Sequence, residues 1–338
     1  MSAGLGTPAF GAGRDFALGL EDELLLVDPA THALSHTAVE VLERLDVPAD
    51  AGTAKPDTYA AMVELTAPVS ATAAEATAAI GALRARVRAA GATVLGAGIH
   101  PAGAHGDVVH FPAERYRVLE EQLRGLLRRT PTAAVHVHVG MPDADTAIRA
   151  FNGLRGHLPV LGALAANSPF WFGTDSGLAS ARAPLFRGYR GADVPRAFRD
   201  YDDYAETMGQ AVAAGGLEDY TFVWWDVRPH PRLGTVEVRA MDGQSSLRAE
   251  AGLAAHRDGL DARLPLDGTL RPAREVVRAT LDRARPHARE IGAEAELEEV
   301  ERILAEGNGA DRQRAAHARG GMPEVLRTLV AEAAAPYA

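Results

Sequence analysis

The chain contains 338 residues, 47% of them hydrophobic, which is enough to bury one large core or two smaller ones. Its 45 acidic residues outnumber its 35 basic residues, and the net charge of −10 disfavours binding to nucleic acid or to an anionic membrane surface. It has no cysteine, which excludes disulfides, thiolate catalysis and sulfur-ligated metals. Chemistry on a small molecule is therefore the expectation.

The N-terminal residues indicate where the protein is located, and the single lysine limits how it could bind phosphate. The first eight residues have neither the basic cluster nor the apolar run of a signal peptide, and no later stretch reaches membrane-spanning length without charges. We therefore expect a cytoplasmic protein. Lys55 is the only lysine. Phosphate would accordingly be bound by arginine or by a metal, because a glycine-rich phosphate loop with its own lysine is absent from the sequence.

The first predicted strand is Leu18–Val27, an apolar run broken by acids and closed by the turn-forming pair Asp28-Pro29. Side chains alternate along a strand, so Glu21 and Glu23 project from the same face. Two carboxylates on one surface repel each other unless a cation lies between them, and a hard divalent ion such as Mg²⁺ or Mn²⁺ suits such a pair. The alternative is a half-exposed strand with a hydrated acidic face.

The next segments alternate between helical and extended patterns. Thr72 and Glu75 fit a capping box at the start of an alanine-rich helix. In chain order the patterns predict a short helix with Val39, Leu42 and Leu45 on one face, a strand from 59 to 66, a helix from 72 to 91, a strand from 92 to 99, and a helix behind Pro112 carrying Leu119, Leu123 and Leu126.

The clearest strand pattern covers residues 132 to 140, where His136 and His138 alternate with valines. A long helix is predicted to follow through Leu154, Leu158 and Leu161, and residues 168 to 195 are predicted to form a long loop. Two strands are predicted at 221–228 and 235–241, and a helical pattern from Ser246 almost to the end. One α+β domain spanning 1–338, with a mostly antiparallel sheet and helices grouped on one side, is the simplest account.

Acidic and imidazole side chains recur at same-face positions on four of these predicted strands. A sheet curved into a funnel would bring them around one cavity. Carboxylates with one or two imidazoles and no sulfur suit Mg²⁺ or Mn²⁺. The residues are Glu21, Glu23, Glu64, His136, His138 and Glu237, with Arg239 two positions after Glu237.

Some of these residues also fit other roles. The His136/His138 pair fits a structural role, or a metal-dependent amidohydrolase, although those enzymes need further histidines and often a bridging lysine. Lys55 lies in a proline-flanked loop, which disfavours the amidohydrolases. Trp224 and Trp225 are typical of packing, since one of two adjacent strand positions faces the core.

Eight short blocks of sequence form a set that covers nearly the whole chain. They are GLEDELLLV (19–27), VELT (63–66), GIHP (98–101), HVHVG (136–140), ANSPFW (166–171), WWDVRPHP (224–231), GTVEVR (234–239) and GNGADRQR (307–314). Together they resemble the signature blocks of the carboxylate-amine ligases known as the type 2 glutamate–cysteine ligase family, within the glutamine synthetase superfamily.

The resemblance implies a funnel-like, mostly antiparallel sheet with helices on its outside, and a ligase region within 14–332. It implies ATP and Mg²⁺, or Mn²⁺, as cofactors. The implied reaction joins a small carboxylate, an amino acid such as glutamate, to an amine through an acyl phosphate. A homo-oligomer is compatible with the family, and neither nucleic acid nor a membrane is an expected partner.

By the same resemblance, Glu21, His136 and Glu237 would hold one metal, and Glu23 with Glu64 a second. Asp57, seven residues before Glu64, lies where related ligases carry a further metal-binding acid. Arg239 and Arg228 are the implied catalytic residues. Arg182, His138 and Arg257 are the implied contacts to ATP or substrate. The resemblance departs after the last predicted strand, where a compressed segment keeps Arg257 and Gly259-Leu260 but lacks an Asn-x-Trp-Arg block.

Two rival functions would use the same residues. A metal site of this kind also supports amide hydrolysis without ATP. Alternatively, the shortened segment marks a nucleotide-binding protein that has lost ligase activity. The intact set of acids favours an active ligase, because a retired site has no physical need for so many converging carboxylates.

Overall fold

The computed structural model describes residues 5–189, 191–247, 263–266, 269–291 and 294–336. The strands within these residues are β1 (Leu18–Val27), β2 (Thr53–Pro56), β3 (Met62–Thr66), β4 (Thr93–Leu95), β5 (Ala134–Gly140), β6 (Phe170–Trp171), β7 (Thr174–Asp175), β8 (Val227–His230), β9 (Thr235–Asp242), β10 (Arg263–Leu266) and β11 (Thr269–Pro272).

Seven of these strands form one sheet, in the order β2-β3-β1-β5-β9-β8, with β4 paired to the second half of β1. Every pairing in it is antiparallel. The remaining four strands form two small hairpins, β6–β7 and β10–β11. The cross-strand register places Glu23 opposite Glu64, Glu21 opposite His136, and His138 opposite Glu237.

The helices lie between and after these strands. They are α1 (Ala38–Arg44), α2 (Ala73–Ala89), α3 (Glu114–Leu123), α4 (Ala144–Arg155), α5 (Leu158–Leu164), α6 (Arg182–Phe186), α7 (Tyr201–Gly215), α8 (Ala273–Ile291), α9 (Glu294–Glu306) and α10 (Gly309–Ala334). Among the described residues, no helix is long and apolar enough to cross a bilayer. The predicted α+β class is confirmed.

The two faces of β1 meet different surroundings. Leu20 and Leu24 belong to the largest apolar cluster, together with Ile80 of α2. Glu21 and Glu23 face the other way and line a cavity. Burial of a leucine side chain contributes about 1.5–3 kcal/mol. A slip of one residue would press the acids against α2, so this apolar face fixes the direction of the two carboxylates.

Local signals set the ends of several helices. Thr72 accepts a hydrogen bond from the Glu75 amide at 3.2 Å, as the predicted capping box requires, while the Glu75 carboxylate accepts from the Ala71 amide at 2.7 Å. Asn308 and Asp311 form a reciprocal capping box at the start of α10.

Other predicted elements differ from the structure. The predicted long helix is two helices, because regular helical structure is interrupted at Gly156 and His157, between α4 and α5. The predicted strand at 221–228 begins only at Val227, after a 3₁₀ turn at Tyr220–Phe222. The predicted loop at 168–195 contains β6, β7 and α6, and the predicted helical stretch after Ser246 is interrupted by the β10–β11 hairpin.

Candidate active site

A cavity of about 590 Å³ lies over the face of the sheet that carries Glu21 and Glu23. Side chains from six strands line it, because alternate residues of each strand point to the same face. Its polar lining includes all the predicted metal ligands, namely Glu21, Glu23, Asp57, Glu64, His136 and Glu237, together with His138, Arg182, Arg228 and Arg239.

The metal-ligating atoms fall into two groups. We call Glu21, His138 and Glu237 the histidine cluster, and Glu23, Asp57 and Glu64 the three-acid cluster. Within each cluster, one ligand atom from every residue lies within 4.8 Å of the others. Two neighbouring groups of oxygen and imidazole ligands match the donors that hard divalent cations take.

Arginines neutralise the histidine cluster. The Arg228 Nε donates to Glu237 Oε2 at 2.5 Å, and Arg239 pairs with the other oxygen of the same carboxylate. Burial alone would raise the pKa of Glu237, but the charges of Arg228 and Arg239 together hold it well below its usual value. Glu237 therefore stays ionised although it is only 1% exposed.

His138 has one ring nitrogen anchored and one unpaired. Its Nδ1 lies 3.0 Å from the Thr235 hydroxyl. Its Nε2 is buried without a hydrogen-bond partner among the described residues, 3.7 Å from Glu21 and 3.8 Å from Glu237. A buried unpaired nitrogen between two carboxylates is suited to a cation, since an imidazole whose other nitrogen is fixed is a common metal ligand.

His136 lies between the two clusters. Its Nδ1 is 3.0 Å from Glu21 Oε2, and its Nε2 is 3.7 Å from Glu23 Oε1. Burial, with the nearby charge of Arg239, lowers the pKa of His136 to about 4, so the ring is neutral at pH 7. The sequence prediction grouped His136 with Glu21 and Glu237, whereas the residue that the structure groups with them is His138.

The three-acid cluster carries an excess of negative charge. Burial, and then the charges of Asp57 and Glu64, raise the pKa of Glu23 well above its usual value. Burial and the charge of Glu21 raise the pKa of Glu64 to about 8, partly offset by Lys55. The Lys55 Nζ lies 2.9 Å from Glu64 and is the nearest compensating charge. Buried carboxylates that resist ionisation in this way are a fit environment for a divalent cation.

Hydrogen bonds orient two of the three acids. Glu23 Oε2 accepts from the Ala134 amide at 2.7 Å. Asp57 Oδ1 accepts from the amide and the hydroxyl of Thr58, at 2.5 and 3.0 Å. Each carboxylate therefore keeps its second oxygen available for a ligand in the cavity.

Arg182 is supported by a polar network that sequence reasoning missed. It is 3% exposed, and its Nε has no hydrogen-bond partner among the described residues. Asp242 lies 3.9 Å from the Arg182 Nη1 and accepts from the hydroxyls of Ser168 and Ser180 at 2.6 and 2.8 Å. The signal for this network was present in the ANSPFW block, which contributes Ser168, but nothing local linked that block to Asp242.

A second missed feature lies behind the sheet. Asp22 points away from the cavity and accepts a hydrogen bond from the Arg84 Nε of α2 at 2.8 Å. Arg84 also donates to the backbone oxygens of Ser245 and Gln244. This buried pair joins β1, α2 and the segment after β9. The predicted contact Arg257 lies outside the described residues.

Solved structures share this fold at low sequence identity. A bifunctional glutathione synthetase from Pasteurella multocida aligns over 95% of this chain with a TM-score of 0.58 and 18% identity, and this chain covers 51% of its length. A glutamate–cysteine ligase from Francisella tularensis, in complex with AMP, aligns over 95% of this chain and 90% of its own, with a TM-score of 0.67 and 11% identity. The chain therefore shares the α+β fold of these two proteins.

Sequence relatives identify the family. Residues 17–256 match glutamate–cysteine ligase family 2. A Rubrobacter xylanophilus protein, provisionally named glutamate–cysteine ligase 2-3, is 38% identical over 96% of this chain and 99% of its own. A glutamate–cysteine ligase of Halobacterium salinarum is 39% identical over 68% of this chain and 64% of its own. The chain belongs to glutamate–cysteine ligase family 2, and it is a ligase that forms carbon–nitrogen bonds.

Proposed function

We propose that the protein is an ATP-dependent carboxylate-amine ligase that forms an amide through an acyl phosphate. The observation that carries this proposal is the convergence, in one cavity, of two ligand clusters and the arginines Arg182, Arg228 and Arg239. Ligases of this family generally use ATP and a divalent metal. The proposal includes a funnel-shaped sheet, supported by the six strands that line the cavity.

The proposed metal ligands are the histidine cluster and the three-acid cluster, with His136 as the residue that holds Glu21 in place. Mg²⁺ is the proposed ion, and Mn²⁺ would take the same ligands. When bound, the ions would neutralise phosphate oxygens during transfer. His138 takes the ligand position that the sequence assigned to His136, because its free Nε2 faces both Glu21 and Glu237.

The arginines take different roles in this proposal. Arg239 has a buried Nε without a partner among the described residues, and it faces the cavity beside Glu237. Arg182 likewise offers its Nε. Arg228 is already engaged by Glu237 and by the backbone oxygens of Val223 and Thr221. We therefore assign phosphate or carboxylate binding to Arg239 and Arg182, and assign Arg228 the positioning of Glu237.

The reaction proceeds in two balanced steps. A carboxylate oxygen of the substrate bonds to the γ-phosphorus of ATP, and ADP leaves with the electron pair of the broken P–O bond. The amine nitrogen then bonds to the carbonyl carbon, phosphate leaves with the C–O electron pair, and the nitrogen releases a proton. No protein nucleophile takes part, which agrees with a sequence that has no cysteine. The carboxylate and amine named for relatives are glutamate and cysteine.

The test is release of ADP and phosphate on a panel of amino acids, with hydroxylamine as a surrogate amine that traps an acyl phosphate. We expect hydroxamate only when ATP, Mg²⁺ and a carboxylate substrate are all present. Hydroxamate formation or amide cleavage at an equal rate without nucleotide would assign the protein to the hydrolases. Binding of ATP without turnover on any carboxylate would support the nucleotide-binding alternative.

A further inference from the structure

The start of α10 contacts the chain segment that leads to Arg182. It belongs to the GNGADRQR block at 307–314, whose side chains do not line the cavity. The family match ends at residue 256, so this block lies beyond the matched region. The proposed reaction assigns no role to the block.

Gln313 makes the closest side-chain contact between α10 and this segment. It is 2% exposed, and its Nε2 donates to the backbone oxygen and to the Oδ1 of Asn167, both at 2.9 Å. The Ala310 amide donates to the Ala166 oxygen at 2.8 Å. A Cβ added at Gly309 would lie 2.2 Å from the Asn167 Oδ1, so any side chain there would displace Asn167. The position of Asn167 is therefore set by α10.

Arg314 holds the same segment farther along. Its Nε and Nη2 donate to the two carboxylate oxygens of Asp175 at 2.9 and 3.0 Å, and its Nη2 also donates to the Leu178 oxygen at 2.9 Å. Asp175 ends the β6–β7 hairpin, and Leu178 lies four residues before Arg182. A planar guanidinium that contacts both residues fixes the path of the chain between them. We call Gln313 and Arg314 the α10 anchor.

Hydrogen bonds continue from Asn167 to Arg182. The Asn167 amide donates to Asp242 Oδ2 at 2.9 Å, and Asp242 Oδ1 lies 3.9 Å from the Arg182 Nη1. The Arg182 amide donates to the hydroxyl of Ser168, the neighbour of Asn167, at 3.3 Å. Both the backbone and the side chain of Arg182 are thus held by groups that contact or adjoin Asn167.

The guanidinium of Arg182 has little freedom within the site. Its Cζ lies 5.0 Å from the centroid of the Phe186 ring, and its Nη2 donates to the Arg239 oxygen at 3.4 Å. Its buried Nε has no partner among the described residues. A charged hydrogen bond requires a donor at a defined position, so a shift of Arg182 would weaken the binding of an anion to this nitrogen.

We propose that the α10 anchor positions Arg182 for the carboxylate substrate. Gln313 and Arg314 are positioning residues, because neither lines the cavity and both act through the segment that carries Arg182. This inference rests on the proposed ligase function, in which Arg182 binds the carboxylate. It gives a helix beyond the matched family region a role in the affinity for one substrate.

Two arginines of α10 provide a matched test. Arg314→Met removes the contacts to the β6–β7 hairpin, whereas Arg327→Met removes a pair with Glu324 within the same helix. Both substitutions change the net charge equally. Gln313→Met keeps the approximate size of the side chain but removes the donors to Asn167, and Arg314→Lys keeps the charge without the planar fork.

ADP release is measured on a carboxylate that the wild type turns over. We expect Gln313→Met and Arg314→Met each to raise the KM of the carboxylate about three- to tenfold and to change the KM of ATP less than about twofold, the scale for residues that contact neither ligand. Arg314→Lys should restore part of the loss, and Arg327→Met should leave both KM values unchanged. An unchanged carboxylate KM, or an equal increase in the KM of ATP, overturns the inference.

A double-mutant cycle distinguishes positioning from general support of the fold. If Gln313 acts through Arg182, Gln313→Met should change the carboxylate KM less than about twofold in a chain that already carries Arg182→Met. The same several-fold increase in both backgrounds would mean that Gln313 supports the fold without positioning Arg182, and it would overturn the inference.

Urea titrations separate this inference from the proposed function, because they need no substrate. Gln313→Met and Asp242→Asn both change groups that contact Asn167, so the double variant should differ in free energy of unfolding from the sum of the single changes. Arg327→Met with Asp242→Asn should be additive. Coupled changes support the link from α10 to Asp242 even if no carboxylate is ligated. Additive changes for Gln313→Met in an active ligase reject the α10 anchor and leave the ligase function standing.

Discussion

The histidine cluster and the three-acid cluster lie side by side on one sheet, yet their carboxylate charges are compensated to different degrees. In the histidine cluster, Arg228 and Arg239 compensate Glu237 and lower its pKa. In the three-acid cluster, the acids face each other with Lys55 as the nearest cation, and the pKa values of Glu23, Asp57 and Glu64 are raised. The histidine cluster is compensated by neighbouring arginines, whereas the three-acid cluster would be stabilised by a bound cation.

This difference separates stability from function in a way that substitutions can test. Removal of the Glu237 carboxylate from the histidine cluster leaves the buried Arg228 and Arg239 without their counter-charge, which costs free energy of folding. Removal of a carboxylate from the three-acid cluster relieves repulsion between like charges, so the fold gains while the ligand is lost. Substitutions in both clusters should therefore reduce turnover, but they should change the free energy of unfolding in opposite directions.

The largest effect is expected for Glu237→Gln. The change leaves Arg228 and Arg239 without their carboxylate, and breaking a buried pair typically costs about 3–5 kcal/mol. The free energy of unfolding of the metal-free protein should fall by that amount in urea titrations, and turnover should be lost. A change below about 1 kcal/mol would contradict the compensated state of the histidine cluster, since that is the size of an exposed pair.

The matched substitution in the other cluster is Glu64→Gln. We expect at least about a hundredfold loss of Mg²⁺-dependent turnover, because even supporting partners of a metal site are worth about 10–100-fold. The free energy of unfolding of the metal-free protein should stay equal or rise. A loss of stability as large as that of Glu237→Gln would remove the distinction between the clusters.

Glu64 also determines how the stability of the metal-free protein is expected to depend on pH. The pKa of Glu64 rises from 4.5 to about 8 on folding, so within this window the folded protein holds the proton more tightly than the unfolded chain. Its contribution to stability is complete below pH 4.5 and is lost as pH rises toward 8. Urea titrations in a chelator should show this decline and a smaller one in Glu64→Gln. Mg²⁺ should stabilise the wild type more at high pH, because the ion displaces the proton.

Part of this site could be predicted from the sequence. Alternation along a strand is local, so Glu21 with Glu23 and Glu237 with Arg239 were placed on shared faces correctly. The position of His138 opposite Glu237 follows a bulge in the pairing of β5 with β9, where Val135 pairs with Met241 but Val137 pairs with Val238. Such a shift in register depends on the partner strand and has no signature in the β5 sequence.

The support of Arg182 is also non-local. Ser168, Ser180 and Asp242 come from three separate segments, and only tertiary packing brings them together. The sequence likewise gave no indication that Asp22, between the two cavity acids, pairs with Arg84 on the opposite face. The assignment of residues 1–338 to a single catalytic domain stays a prediction.

A smaller effect is expected for Asp242→Asn, outside both clusters. The amide keeps the shape of the side chain but loses the charge 3.9 Å from the Arg182 Nη1. If Arg182 holds the carboxylate substrate, the KM of that substrate should rise about tenfold, roughly 1.4 kcal/mol, with a smaller change in the KM of ATP. Ser180→Ala, which removes one donor to Asp242, should have a weaker effect in the same direction. Equal increases in both KM values would indicate a general loss of structure.

The smallest expected effect concerns Lys55, a half-exposed side chain at the edge of the three-acid cluster. Its side chain is 49% exposed and pairs with Glu64 at 2.9 Å, so this pair is worth about 0.2–1 kcal/mol. Lys55→Met should remove a cation that competes for Glu64 and leave the cluster more negative. Mg²⁺ should then bind about two- to fivefold more tightly in calorimetry at pH 8, with the gain shrinking at high salt.

The matched control is Arg196→Met, which changes net charge equally but breaks an exposed pair with Asp203 outside the cavity lining. Weaker Mg²⁺ binding in Lys55→Met than in this control would mean that Lys55 orients Glu64 rather than competing with Mg²⁺ for it. The negative charge of the three-acid cluster would then be compensated by a basic side chain, as it is in the histidine cluster.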